Sequence, residues 1–269
     1  MISIIRLLLK ILPAQKAAML VDYIVQRPTN YKATPEEEAW LHTGECVDFG
    51  KSRYAYLFGK GPIVILAHGW GGAASQWQAI GKDLVAKGYR VAALDFSGHG
   101  KSKGVISFKN FATDIADLTA YLGTPVQAYV GHSAGGLGMM AARTLHNIIA
   151  NHYVCLAVPA YPYPPIQAAH KKLKFSDKVL QAYQRLLAKQ FSTQWENISA
   201  QCFQPDATGS LNLIYDCDDT YLSGSDAALI QGYWPNSNYL KTQGVGHLGI
   251  LTSQSCIPAI ADFIQKKTG

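Results

Sequence analysis

The sequence predicts an α/β domain: a mostly parallel sheet with helices on both faces. Three observations carry this. Short apolar segments of strand length alternate with longer segments of helical periodicity from about residue 46 onward. One of those strands runs directly into the glycine-rich turn Gly131-His132-Ser133-Ala134-Gly135-Gly136 and then into a helical pattern. Finally, 269 residues that are 48% hydrophobic suffice for one large core, which favours one domain with a modest insertion over two independent domains.

The elements follow in order. Residues 1–45 read as an N-terminal helical extension. Met1 to Leu12 is nearly all Ile and Leu, interrupted by Arg6 and Lys10, and Pro13 suits the first turn of a second helix to about Gln26. Glu36-Glu37-Glu38 reads as a solvated helix start. Cys46 to Gly50 and Arg53 to Phe58 read as a hairpin, Ile63 to Ala67 as a buried strand, Ala73 to Ala86 as a helix, Val91 to Asp95 as a strand and Phe108 to Leu122 as a helix. The strand Pro125 to Val130 and a helix from Leu137 to Ile149 flank the turn, and Tyr153 to Val158 is the next strand. The alternation breaks at Pro159. A proline- and tyrosine-rich stretch leads into a helical region to about Ala200, read as a small cap inserted at about 160–205, with Tyr161, Tyr163, Phe175, Phe191 and Trp195 available to line a pocket. Leu211 to Tyr215, Asp226 to Gln231, Tyr239 to Thr242 and a last helix from about Ser253 to Lys266 complete the pattern.

Composition narrows the function classes. The formal charge of +6 is mild, and the basic residues are scattered rather than gathered in a stripe with aromatics, which argues against nucleic-acid binding. Five cysteines, at 46, 155, 202, 217 and 256, never form a Cys-x-x-Cys pair, which argues against a disulfide framework or a zinc site; they read as reduced core residues. Met1 to Leu12 is too short to span a bilayer and too interrupted for a signal peptide. Ser3, Arg6 and Lys10 share one narrow face of a helical wheel, leaving a wide apolar face. That face is expected to pack on its own domain or on another subunit, with weak membrane-surface attachment as the alternative. The expected location is the cytoplasm, with peripheral membrane attachment as the alternative.

The turn proposes Ser133 as a nucleophile. A serine on a sharp strand-to-helix turn sits in strained backbone geometry, so the residues two before and two after it must lack bulk, and Gly131 and Gly135 meet that need. Acyl transfer also requires a base, a carboxylate to orient it and donors for the developing oxyanion. His247, in Gly244-Val245-Gly246-His247-Leu248 between the last strand and the last helix, is the expected base. Three aspartates follow the strand Leu211 to Tyr215. Asp216 reads as a turn residue, Asp219 as the expected orienting acid and Asp218 as its alternative. Ala67-His68-Gly69-Trp70-Gly71-Gly72 follows a strand and opens a helix; it lacks the lysine-serine ending of a phosphate loop and the spacing of a dinucleotide site. The N–H groups of Trp70 and Ala134 are the expected oxyanion donors. His68 reads as a structural loop residue rather than a second base, and with Tyr161 and Trp195 it is placed among the expected substrate contacts.

Four ordered motifs carry a resemblance: His68-Gly69-Trp70-Gly71-Gly72, Asp95-Phe96-Ser97-Gly98-His99-Gly100-Lys101-Ser102, Gly131-His132-Ser133-Ala134-Gly135-Gly136 and Gly246-His247. From about Cys46 onward the chain resembles the α/β-hydrolase superfamily. The resemblance implies an eight-stranded sheet, a triad of Ser133, Asp219 and His247, a structural role for Asp95 to Ser102, and neither a metal nor an organic cofactor. It implies a serine hydrolase acting on a small-molecule ester or thioester. Lactone or carbon-carbon cleavage, or a non-catalytic ligand-binding module on the same fold, are the alternatives.

Overall fold

The computed structural model describes residues 2–205 and 209–265. Its sheet contains β1 (Glu45–Asp48), β2 (Tyr54–Phe58), β3 (Ile63–Ala67), β4 (Arg90–Leu94), β5 (Val126–His132), β6 (Ala150–Leu156), β7 (Ser210–Asp216) and β8 (Asn238–Thr242), in the order β1-β2-β4-β3-β5-β6-β7-β8. β2 pairs antiparallel with β1 and with β4, and every other pairing is parallel. The central strands are apolar because both faces are covered. Alternate residues of β3 enter opposite cores: Ile63, Ile65 and Ala67 on one face, Val64 and Leu66 on the other.

The helices before β1 are α1 (Ile2–Ile11), α2 (Ala14–Val25) and α3 (Pro35–His42). α3 starts on a capping box in which the Thr34 hydroxyl accepts the Glu37 N–H and the Glu37 carboxylate accepts the Thr34 N–H. Between the strands run α4 (Gln78–Ala86), α5 (Phe108–Leu122) and α6 (Ala134–His146). α5 is capped at one end by Ser107 and stopped at the other by Gly123 at φ +62°. The insertion between β6 and β7 holds α7 (Pro164–Leu173), α8 (Asp177–Gln190) and α9 (Ile198–Cys202). After β7 come α10 (Asp226–Tyr233), the single turn α11 (Gly246–Gly249) and α12 (Cys256–Gln265); the expected helix end at Lys266 lies outside the described residues.

Both ends of α6 differ from expectation, each for a physical reason. α6 begins at Ala134 rather than Leu137, because the strained turn hands the chain directly to the helix even though Gly135 and Gly136 are poor helix formers. It ends at His146, where Asn147 adopts the left-handed conformation at φ +54° and releases the chain into β6 early. The cysteines are free as expected, but Cys46 and Cys217 are exposed, so only Cys155, Cys202 and Cys256 are core residues.

The N-terminal helices are part of the main core rather than an appendage. Leu9, Ala17, Ala18, Val21 and Val25 are buried in the same cluster as β3 and α5, and α2 packs against α8 of the insertion.

Candidate active site

Ser133 sits between β5 and α6 at φ +52°, ψ −124°, a conformation an L-residue adopts only under constraint. The constraint is close packing on glycine. A Cβ on Gly135 would fall 2.2 Å from the His68 carbonyl oxygen, and one on Gly131 would fall 2.4 Å from the Gly136 Cα. The Ser133 N–H donates to the Leu156 carbonyl of β6 (3.0 Å), tying the turn to the neighbouring strand.

His247 Nδ1 and Asp219 Oδ2 are 2.7 Å apart. A carboxylate only accepts, so Nδ1 carries a proton, and in the neutral tautomer that this bond selects Nε2 is the acceptor. Asp219 Oδ1 accepts the N–H groups of Tyr221 and Leu222. Burial alone would raise the Asp219 carboxyl, but the hydrogen bond and charge of His247 and these two N–H groups outweigh it and hold it below the ordinary carboxylate range. Asp218 instead accepts the Gly244 N–H.

Asp216 does more than turn the chain. Its carboxylate accepts the N–H groups of Asp218, Val245 and Gly246 and the Thr242 hydroxyl, so it stitches the end of β7 to the loop that carries His247. A second brace comes from His132, whose Nε2 is 2.9 Å from the His247 carbonyl oxygen. Burial, with the nearby His247 second, pulls the His132 imidazole down to about 3 and keeps it neutral.

The loop after β3 is held from three sides. The Gly71 N–H donates to His99 Nε2, the Gly71 carbonyl accepts the Tyr31 N–H, and Trp70 Nε1 donates to the Val25 carbonyl at the end of α2. His99 belongs to the loop 95–102, which is itself wound around the buried Asp95: Asp95 accepts the N–H groups of Ala74 and Lys101, and its carbonyl accepts the Ser102 hydroxyl. Among the described residues, the N–H groups of Trp70 and Ala134 have no hydrogen-bond partner.

A cavity of about 280 Å³ opens onto Ser133, Ala134, His247 and Trp70. Among the described residues, His247 bonds Asp219 through its ring and His132 through its carbonyl and has no hydrogen bond to Ser133, a link that often tightens only when substrate is bound. Much of the wall is apolar: Phe108, Pro159, Pro164, Pro165, Ala168 and Leu248. Three expected contacts lie elsewhere. His68 is buried beneath the loop with both ring nitrogens engaged, Nδ1 on the Gly69 carbonyl and Nε2 on the Phe96 N–H, and burial holds it neutral. Tyr161 and Trp195 stack on each other at 5.6 Å away from the cavity. Phe175 and Phe191 are consumed by the core, and Tyr163 binds Asp226.

Sequence reasoning missed Tyr31, Tyr221 and Leu248 in the wall. The last two flank the expected acid and base and were within reach of local inference. Tyr31 was not, since only tertiary packing brings it there; burial and the Glu37 carboxylate push its hydroxyl up to about 12, so it stays a donor to Glu37. Among the described residues, no group of three or more His, Cys, Asp or Glu could hold a metal ion.

A family model for the alpha/beta hydrolase fold matches residues 62–267. The chain belongs to the α/β-hydrolase family. A bifunctional esterase/perhydrolase of Acinetobacter calcoaceticus is 33% identical over 103 residues, covering 36% of this α/β-hydrolase and 37% of the relative. A sn-1-specific diacylglycerol lipase of Xenopus laevis is 28% identical over 153 residues, covering 53% and 49%. The matches thus span between about a third and a half of these curated relatives. Among solved structures, Est1E of Butyrivibrio proteoclasticus with ferulic acid bound superposes with a TM-score of 0.62 at 19% identity, over 82% of this chain and 100% of that one. That likeness is one of fold.

Proposed function

We propose that this α/β-hydrolase is a serine hydrolase of carboxylic esters or thioesters. The observation that carries the reading is the 2.7 Å contact between Asp219 and His247 at a cavity that also receives Ser133 on its strained turn. In the proposed reaction His247 Nε2 takes the Ser133 hydroxyl proton as Oγ attacks the acyl carbon. The N–H groups of Trp70 and Ala134 receive the developing oxyanion, and Asp219 stabilises the imidazolium. His247 then returns the proton to the departing alcohol or thiol. Water, activated by the same histidine, cleaves the acyl-serine and regenerates the hydroxyl. The apolar wall and the modest cavity volume support an acyl or alcohol group of small to medium size.

The test is labelling by a fluorophosphonate, which needs an activated serine, on wild type beside Ser133→Ala and His247→Ala. Labelling of wild type alone supports the proposal, and an ester, thioester and lactone panel then sets the bond type. A folded wild type that takes no label, yet gains thermal stability from apolar esters, would make the cavity a receptor instead.

A further inference from the structure

The wide apolar face of α1 is used only in part by its own domain. Leu9 is buried and Ile5 and Leu12 pack partly on the core, yet Ile4 is 65% exposed, Leu7 59% and Ile11 67%. These three recur at i, i+3 and i+7 and form one outward stripe. The stripe is bordered by cations. Arg6 Nη2 donates to the Lys172 carbonyl (2.8 Å), pinning α1 to α7 and setting the exposed Lys171, Lys172 and Lys174 beside it, while Lys10 is exposed on α1 itself. Residues 2–21 contain no acidic side chain, nor do residues 164–175.

We propose that the outward face of α1, with the lysines of α7 and its C-terminal turn, docks this protein on an anionic phospholipid bilayer. An apolar stripe edged by lysine and arginine fits lipid on two counts. The side chains enter the acyl boundary while the cations meet the headgroups, and neither signal alone gives stable attachment. A second copy fits less well, because an isologous contact through this face would set the same cations against each other. Among the described residues no helix is long and apolar enough to cross the membrane, so the attachment is to its surface. α7 both touches α1 and supplies Pro164, Pro165 and Ala168 to the cavity wall, so docking brings that wall to the lipid. The inference does not depend on the proposed hydrolysis.

The test is co-sedimentation with sucrose-loaded vesicles of phosphatidylcholine alone and of equimolar phosphatidylcholine and phosphatidylglycerol. Wild type should pellet with the anionic vesicles and be released by salt. Replacing the stripe (Ile4→Ser, Leu7→Ser, Ile11→Ser) should lower partition on the order of a hundredfold. Lys171→Gln, Lys172→Gln and Lys174→Gln together should lower it by roughly fivefold per lysine. All six side chains point to solvent, so unchanged circular dichroism and melting are expected, and the lysine variant stands independently should the serine variant not fold. Wild type left in the supernatant with anionic vesicles at low salt would overturn the proposal, as would equal binding by both variants. A wild-type dimer split by the serine variant, with no vesicle binding, would reassign the face to self-association.

Discussion

Asp216→Asn separates the carboxylate that shapes the His247 loop from the one that contacts the imidazole. In wild type one Asp216 oxygen accepts from Asp218 and Gly246 and the other from Thr242 and Val245. An amide keeps one oxygen for two of these donors. Thr242 can turn its hydroxyl to accept from the new NH2, but the Val245 N–H then faces a donor and stands unsatisfied. That costs about 1–3 kcal/mol, and the two surviving bonds lose their charge at about 0.5–1 kcal/mol each. The total is about 3 kcal/mol, or roughly 6 °C in Tm for a chain of this length. Burial would raise Asp216, but the Gly246 N–H, the Thr242 hydroxyl and the other donors lower it from 3.8. The stability it contributes is therefore complete above about pH 4 and is lost as pH falls through the depressed folded value. Thermal melts from neutral to acid pH, run beside ester turnover, read both effects: the variant should lose Tm at neutral pH and show a shallower acid limb. Asp219→Asn should do the reverse, keeping most of the Tm while turnover falls by about ten-thousandfold. An Asp216→Asn protein with wild-type Tm and acid limb would refute the brace.

Gly135→Ala should cost at least about 1–3 kcal/mol and slow serine labelling on the order of a hundredfold, because its Cβ meets backbone carbonyls that cannot swing aside; normal labelling by a stable variant would show that the turn has slack. Burial holds His99 down to about 4 and His132 to about 3, so the unfolded chain binds protons the native state does not. Stability should be full above about 6.5 and fall by about 2 kcal/mol per histidine between pH 7 and 5, read as a drop in urea midpoint; a flat midpoint would mean that water or rearrangement admits the charge. Trp70→Phe removes the bond to Val25 and should lower kcat about tenfold with little change in KM if α2 holds the loop after β3 in the proposed oxyanion-binding position; a change confined to KM would limit Trp70 to lining the wall.

The fold was legible where signals are local. Gly131, Ser133 and Gly135 lie within five residues, and β3 announces itself by five apolar residues bounded by glycines and a proline. Asp219 and His247 are far apart in sequence, but each sits at a strand end, which made the pairing inferable from topology. What was not legible depends on how helices rotate against one another. Tyr161 and Trp195 have the composition of pocket residues, yet they stack together, while the cavity wall falls to Pro164, Pro165 and Ala168 of α7. Asp216 looked like a turn residue because its four donors come from residues 2–30 positions away, three of them at the end of β8 and just beyond it, which no local pattern links to it.

The docking of α2 on α8 also sets a timetable for synthesis. α2 leaves the ribosome roughly 150 residues before the helix that covers it, a lag on the order of ten seconds at about 5–20 residues per second. Throughout that interval α2 lacks the helix it packs on, and the loop carrying Trp70 emerges with its anchor at Val25 not yet held from that side. The nascent chain is therefore most exposed to aggregation before α8 is made, and a chaperone that holds apolar helices would act on the first 25 residues.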